Sequence, residues 1–248
     1  MCGRYAVFTE EENEELREII NGINERYKND ASKTGNTTEL NLMKTGEIFP
    51  TNIAPVITGH LEDKRVVNLF KWGFPHYMKS SAVIINARCE TLQEKPTFRK
   101  LLTNGRCLVP ASGFYEWKSI DQHKEKYLIR PTGKELMYFA GLYNNFIDKN
   151  GLSFTSFVII TTEANNQMSQ IHTRMPVILS NSEAAAWINS SSVDNTSNSD
   201  FAKRTENSGS SDVLSSAGIA YNPRIPGAAG IASILRPYSS ELIFEKVG

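Results

Sequence analysis

The residue type best placed to do chemistry in this sequence stands at its second position. Met1-Cys2-Gly3-Arg4 puts a cysteine directly after the initiator methionine, and a small residue there favours removal of that methionine. Cys2 then carries a free α-amine beside its thiol. Reference pKa values of roughly 7.7–8.0 for the amine and about 8.5 for the thiol leave both partly nucleophilic at neutral pH. Such a 1,2-aminothiol forms an imine with an aldehyde, and its sulfur can close the imine to a five-membered thiazolidine. Toward an amide or ester, the thiol attacks and the amine serves as its base. The competing reading is a cysteine packed as a small hydrophobe.

Three further segments carry polar groups in settings that suit catalysis or binding. Ile85-Asn86-Ala87-Arg88-Cys89-Glu90-Thr91 ends an apolar strand in a dense polar cluster. Phe114-Tyr115-Glu116-Trp117 sets a carboxylate among aromatic rings. Desolvation there raises a carboxyl pKa toward neutrality, the condition for a proton shuttle. An outward-facing Glu on a strand is the alternative. Ile171-His172-Thr173-Arg174-Met175-Pro176 places an imidazole and a guanidinium two residues apart; a satisfied core or surface histidine is the alternative there.

The elements that must position these groups read as β-rich. Gly3 to Phe8 is expected to be a strand, with a helix after Thr9 and Glu12 as a capping box. Leu16, Ile19, Ile20 and Ile23 form that helix's apolar stripe, and Asn29 to Thr38 reads as a loop. Short apolar runs follow at 52–57, 65–70, 82–87, 106–109, 127–130, 136–143 and 154–161, each bounded by turn residues. Helices are expected at 95–102, 163–170 and 183–189, the last behind Ser180. A final strand covers 241–244. The absence of regular strand–helix alternation points to an α+β fold, a β-rich sheet with mostly antiparallel pairing and a few flanking helices, in one domain spanning 1–248. Ten of the 32 residues from Asn189 to Ala220 are serine, which marks this stretch as a flexible insertion.

Composition narrows the function classes. The 248 residues carry 27 Lys+Arg against 27 Asp+Glu, so no histone-like or globally basic protein is indicated. No apolar run approaches the roughly 18 residues of a membrane span, and an acidic stretch replaces the apolar part of a signal peptide. A cytoplasmic location is expected, nucleoid-associated in a prokaryote. Three cysteines without a CxxC pair suggest neither a disulfide framework nor a zinc site. His60, His76 and His123 lack metal-ligand spacing, so no metal or cofactor is called for. Residues 86–107 nevertheless hold five basic side chains (Arg88, Lys95, Arg99, Lys100, Arg106) against Glu90 and Glu94, a local cationic strip.

Taken in order, these segments resemble the SRAP family (SOS response-associated peptidase). The resemblance rests on Met1-Cys2-Gly3-Arg4-Tyr5, Asn52-Ile53-Ala54-Pro55, Trp72-Gly73, Ile85 to Arg88 with Glu90-Thr91, Arg106-Cys107 with Val109-Pro110, Gly113 to Trp117, Thr161-Thr162, and Ile171-His172 with Arg174-Met175-Pro176. It extends from residue 1 to about 188, with a weaker echo at 235–247. The resemblance implies a pseudo-barrel around a positively charged cleft, and a protein that shields abasic sites in single-stranded DNA by bonding to them covalently. It implies Cys2 as amine and sulfur donor, Glu116 as acid/base, His172 at the sugar oxygen, and Asn86 holding the Cys2 amine or the sugar. Arg4, Arg88, Arg99 and Arg174 are implied phosphate contacts, with Thr161 beside them, and Pro55 and Trp72 are implied base contacts. A monomer acting on DNA, with self-processing that removes Met1, completes the expectation. Two alternatives stay open: an N-terminal-nucleophile glutamine amidotransferase, and a non-covalent single-stranded DNA-binding module.

Overall fold

The computed structural model describes residues 2–8, 14–34, 42–61, 64–76, 82–133, 136–189 and 228–248. Five strands, Ile53–Leu61, Lys64–Trp72, Arg106–Ala111, Met137–Ile147 and Ser153–Glu163, close into a barrel. Going round it, Ser153–Glu163 pairs with Lys64–Trp72, then Ile53–Leu61, Arg106–Ala111 and Met137–Ile147, which returns to Ser153–Glu163. The junction of Ser153–Glu163 with Lys64–Trp72 is parallel and the other four are antiparallel. Three short strands, Asn86–Arg88, Arg174–Pro176 and Ile178–Leu179, extend its pairing.

A second, wholly antiparallel sheet lies beside the barrel, in the order Leu242–Lys246, His123–Pro131, Gly113–Ile120, Arg4–Val7, Gly46–Ile48. The chain passes from barrel to sheet through Ser112, whose N–H donates to the Ala6 carbonyl (2.8 Å) and whose hydroxyl accepts from the Phe8 N–H (3.0 Å). A core of Tyr5, Trp72, Phe114, Ile129, Phe139 and Phe157 fills the seam between the two. Another core packs the helices against the barrel: Ile19 and Ile23 from Glu14–Thr34, Phe98 from Pro96–Arg99, Leu101 and Leu102 from Leu101–Asn104, Trp187 from Asn181–Asn189, and Ile231 from Ala228–Ile234.

The β-rich, barrel-forming architecture agrees with the sequence expectation. Three local expectations need correction. Helix Glu14–Thr34 takes in residues 29–34 of the segment read as loop, and 35–38 lie outside the described residues. Arg26 donates to the Val67 carbonyl (3.1 Å) and Tyr27 accepts from the Leu69 N–H (3.0 Å), which pins the helix to a barrel strand. No glycine or proline then interrupts it before Gly35. The helix expected over 163–170 shrinks to one 3-10 turn, Met168–Gln170. Glu163 is drawn into the barrel strand by pairing with Arg174, and the Asn165 side chain accepts the Met168 N–H (2.8 Å) to form a turn. The strands Gly46–Ile48 and Gly113–Ile120 were not among the expected runs.

Helix Asn181–Asn189 sits behind Ser180 as expected, with Ser180 and Glu183 in a reciprocal cap: Glu183 Oε2 accepts from the Ser180 N–H (2.9 Å) and the Glu183 N–H donates to Ser180 Oγ (3.3 Å). The C-terminal strand returns to the small sheet against His123–Pro131. The Thr9–Glu12 cap and residues 190–220 of the serine-rich stretch lie outside the described residues.

Gly105 marks where the first of the deepest barrel strands begins, and a Cβ there would lie 2.6 Å from the Tyr143 carbonyl oxygen. Because the obstacle is backbone, Gly105→Ala is expected to destabilise the protein by about 1–3 kcal/mol, read as a lowered denaturation midpoint at unchanged m-value.

Candidate active site

The second sheet positions the first two residues of interest. Strand Arg4–Val7 lies between Gly113–Ile120 and Gly46–Ile48, so the residues just ahead of it are held at the seam. Cys2 is fully buried there in the same core as Tyr5, Trp72 and Phe114. Its carbonyl accepts a hydrogen bond from Asn86 Nδ2 (2.9 Å), while its thiol faces the Arg4 carbonyl at 3.7 Å. Asn86 thus grips Cys2 through the carbonyl. Its own Oδ1 is buried with no hydrogen-bond partner among the described residues, an acceptor held in reserve beside the chain start.

Alternation along Gly113–Ile120 puts Glu116 on the Phe114 face, toward the seam, and Tyr115 and Trp117 on the other. Glu116 is 4% exposed. Burial pushes its carboxyl up to about 7, against the opposing pull of the amino-terminal charge. Burial also pushes the Cys2 thiol well above its ordinary value, and the nearby Glu116 charge pushes it further. Burial holds the His172 imidazole below its ordinary value, with the amino-terminal charge acting in the same direction. The Arg174 N–H donates to His172 Nδ1 (2.9 Å), which leaves the proton of the neutral ring on Nε2. Cys2, Asn86, Glu116 and His172 therefore share one electrostatic neighbourhood around the chain start.

The residues read as DNA contacts divide differently. Arg88 and Arg99 are exposed, with no ion-pair partner among the described residues. Lys95 and Lys100 are exposed beside Arg99, so most of the cationic strip survives. Arg106 leaves it: it is 1% exposed, with its guanidinium 5.3 Å from the Trp187 ring centre. Arg174 is engaged inside the protein, in a bidentate pair with Glu90 (2.7 and 2.9 Å) and a bond to the Thr161 carbonyl (2.8 Å). Thr161 is wholly buried and acts in the free protein as that guanidinium's acceptor.

Trp72 and Pro55 are both buried, so neither presents a face to a base here. Trp72 donates to the Ile85 carbonyl (3.0 Å), stacks at 12° on Phe157 and meets Tyr5 edge-on. Arg4 points to the sheet face that carries Tyr115 and Trp117, away from Glu116. There it pairs with Glu47 (2.8 Å) and lies 3.8 Å from the Phe49 ring centre. Glu47 and Lys126, which complete that cluster, were missed in the sequence. Their only signal is cross-strand register, which no local motif reports.

The raised carboxyl has a thermodynamic signature. A folded-state value of about 7 against an ordinary 4.5 favours the protonated folded form. Wild-type stability therefore falls as pH rises from about 4.5 through about 7, by up to about 3 kcal/mol. Glu116→Gln removes that loss: its melting temperature should exceed wild type at pH 8, with the gap closing toward pH 4. A constant gap across that range would place the Glu116 carboxyl near its ordinary value.

Comparison with known proteins gives the family. The family model described as SOS response associated peptidase (SRAP) matches residues 1–215. The abasic site processing protein YoqW of Bacillus subtilis (strain 168) is 35% identical over 205 residues, covering 78% of this chain and 83% of YoqW. The abasic site processing protein YoaM of the same strain is 39% identical over 155 residues, covering 58% of this chain and 68% of YoaM. A crystal structure of a Bacteroides thetaiotaomicron protein superposes with a TM-score of 0.61 at 25% identity, over 82% of this chain and 78% of that one. On the match to residues 1–215 and these relatives, the chain belongs to the SOS response associated peptidase (SRAP) family.

Proposed function

We propose that this protein captures abasic sites in single-stranded DNA as a covalent thiazolidine on Cys2. The observation that carries the reading is the placement of Cys2, gripped by Asn86 and within the field of a carboxyl that titrates near neutrality. The relatives named as abasic site processing proteins support the substrate. Removal of Met1, as self-processing, turns the amide nitrogen of Cys2 into a primary amine.

The abasic deoxyribose is mostly a closed hemiacetal, and only its open form offers an aldehyde. Protonated Glu116 donates to the ring oxygen as it opens, with the Nε2–H of His172 supporting the same oxygen. The Cys2 amine adds to the aldehyde carbon, and loss of one water gives the imine. The sulfur then adds to the imine carbon, and the thiol proton reaches the nitrogen by way of Glu116. The products are thiazolidine and water, with no oxidation or reduction. A carboxyl near 7 can give and take protons in turn, as this sequence requires. Asn86 Oδ1 accepts from the amine and keeps it neutral, where a second carboxylate would favour its charged form.

Arg88 and Arg99, exposed on the strip that follows Asn86, are the backbone phosphate contacts in this reading. An abasic site has no base to recognise, so affinity rests on phosphates and falls with salt.

Two measurements test the proposal. Protein with a mature amino terminus, incubated with an abasic single-stranded oligonucleotide, is expected to give an adduct stable to heat and SDS. Cys2→Ala should give none; an adduct that persists in Cys2→Ala, or reversible binding alone in wild type, would overturn the reading. Arg88→Ala should weaken binding to single-stranded DNA and flatten the log–log salt slope by about 0.7. An unchanged slope removes Arg88 from the interface.

A further inference from the structure

On the outer face of the second sheet, three strands bring two cations and one carboxylate together. Glu47 Oε1 accepts from Arg4 Nη1 (2.8 Å) and its Oε2 accepts from Lys126 Nζ (2.7 Å). Aromatic rings wall the group. Arg4 lies over Phe49 (3.8 Å) and beside Trp117 (5.5 Å), and Lys126 lies over Tyr115 (4.2 Å) and beside Trp117 (5.8 Å). Side chains of Arg4, Glu47 and Lys126 remain 33%, 24% and 25% exposed, and Phe49 is 40% exposed. Solvent, and a ligand, can reach the cluster.

Tyr115 is buried, but Trp117 and Phe49 reach the surface, and cations beside such rings suit a single strand of nucleic acid, phosphates on the charges and bases against the rings. Arg4 is two residues from Cys2 in the chain and faces the outer side of the sheet, while Cys2 lies in the seam. In the free protein, however, the position between the two cations is taken. Partial burial pushes the Glu47 carboxyl up, but hydrogen bonds from Lys126 and Arg4 outweigh it and hold it below its ordinary value. The carboxylate stays charged through the neutral range.

We propose that Glu47 is an internal stand-in for a backbone phosphate, a competitor that sets how tightly this chain holds single-stranded DNA next to Cys2. A strand arriving at Arg4 must displace a carboxylate that already satisfies both cations, so part of its attraction is cancelled in advance. The inference rests on the DNA binding proposed above, whose phosphate contacts there are Arg88 and Arg99, and takes Arg4 as a further one. It adds Glu47 and Lys126 as determinants of affinity, and it gives the neutral overall charge a local counterpart.

The test uses the full chain and undamaged fluorescent oligothymidylate, so that only reversible binding is read. Glu47→Gln keeps the side chain's shape and removes its charge. It is expected to bind about tenfold more tightly at low salt, the scale of one charge-assisted hydrogen bond released to the ligand. Its log–log salt slope should steepen by roughly 0.7–1.4, for one or two phosphates gained. Adding Lys126→Ala to Glu47→Gln should remove part of both gains. Glu47→Ala, checked for an unchanged melting profile, serves as a second variant. Unchanged affinity and slope in Glu47→Gln and Glu47→Ala would make the cluster a strand staple only, and weaker binding would make Glu47 a support for Arg4; either result overturns the proposal. Failure of wild type to form an adduct with abasic DNA would instead sink the capture chemistry, leaving the effect of Glu47 on reversible binding to be read separately.

Discussion

Desolvation of the Glu116 carboxyl at the seam between barrel and sheet is the constraint around which the molecule is arranged. A carboxyl in water is ionised at neutral pH and is a poor acid. Here Phe114 on the same strand, Cys2 at the chain start and the aromatic core of the seam exclude water from it. That exclusion needs two separately hydrogen-bonded layers in contact, which the fold supplies by passing directly from barrel to sheet at Ser112. Helix Glu14–Thr34 contributes Leu16 to that same seam core, while its Ile19 and Ile23 and the other helices pack elsewhere on the barrel. They close the other side of the barrel, where Trp187 Nε1 donates to the Cys107 carbonyl (3.0 Å) and its ring lies beside the buried Arg106.

The site also shows how ion pairing partitions basic residues by task. Arg174 is held through both Nη atoms by Glu90 and Thr161 and its side chain is 11% exposed, where it fixes the strand that follows His172. Its backbone N–H sets the imidazole tautomer, so one residue braces the loop through its side chain and orients the histidine through its main chain. Arg88 and Arg99 have no such partner among the described residues and remain at the surface. Sequence position alone does not distinguish these roles, because the difference lies in which carboxylate the folded chain brings within reach.

Much of the architecture was legible in the sequence because strand-length apolar runs bounded by turn residues carry a strong local signal. Ser180 as the cap of the helix was legible for the same reason, because cap and helix are adjacent in sequence, although the helix starts at Asn181 and not at Glu183. What escaped was set by distant partners. The helix continuing to Thr34 depends on Arg26 and Tyr27 meeting a barrel strand, and the strand reaching Glu163 depends on Arg174 across the ladder. In the site, the aromatic setting of Glu116 foretold its burial. The internal engagement of Arg4 and Arg174 could not be foreseen, since Glu47 and Glu90 are separated from them by 43 and 84 residues. Trp72 and Pro55 carry side chains suited to a base but are turned into the core, a choice made by barrel closure rather than residue type.

The strand Arg4–Val7 is an inner strand, hydrogen-bonded to Tyr115, Phe114 and Gly113 on one side and to Ile48, Glu47 and Gly46 on the other. Anything hung on Cys2 is therefore in line with a strand clamped along both edges. A pull along that direction loads the flanking bonds together, in shear, instead of peeling them one by one. In the proposed reaction, tension from a polymer bonded to Cys2 would therefore be shared by both edges of this strand.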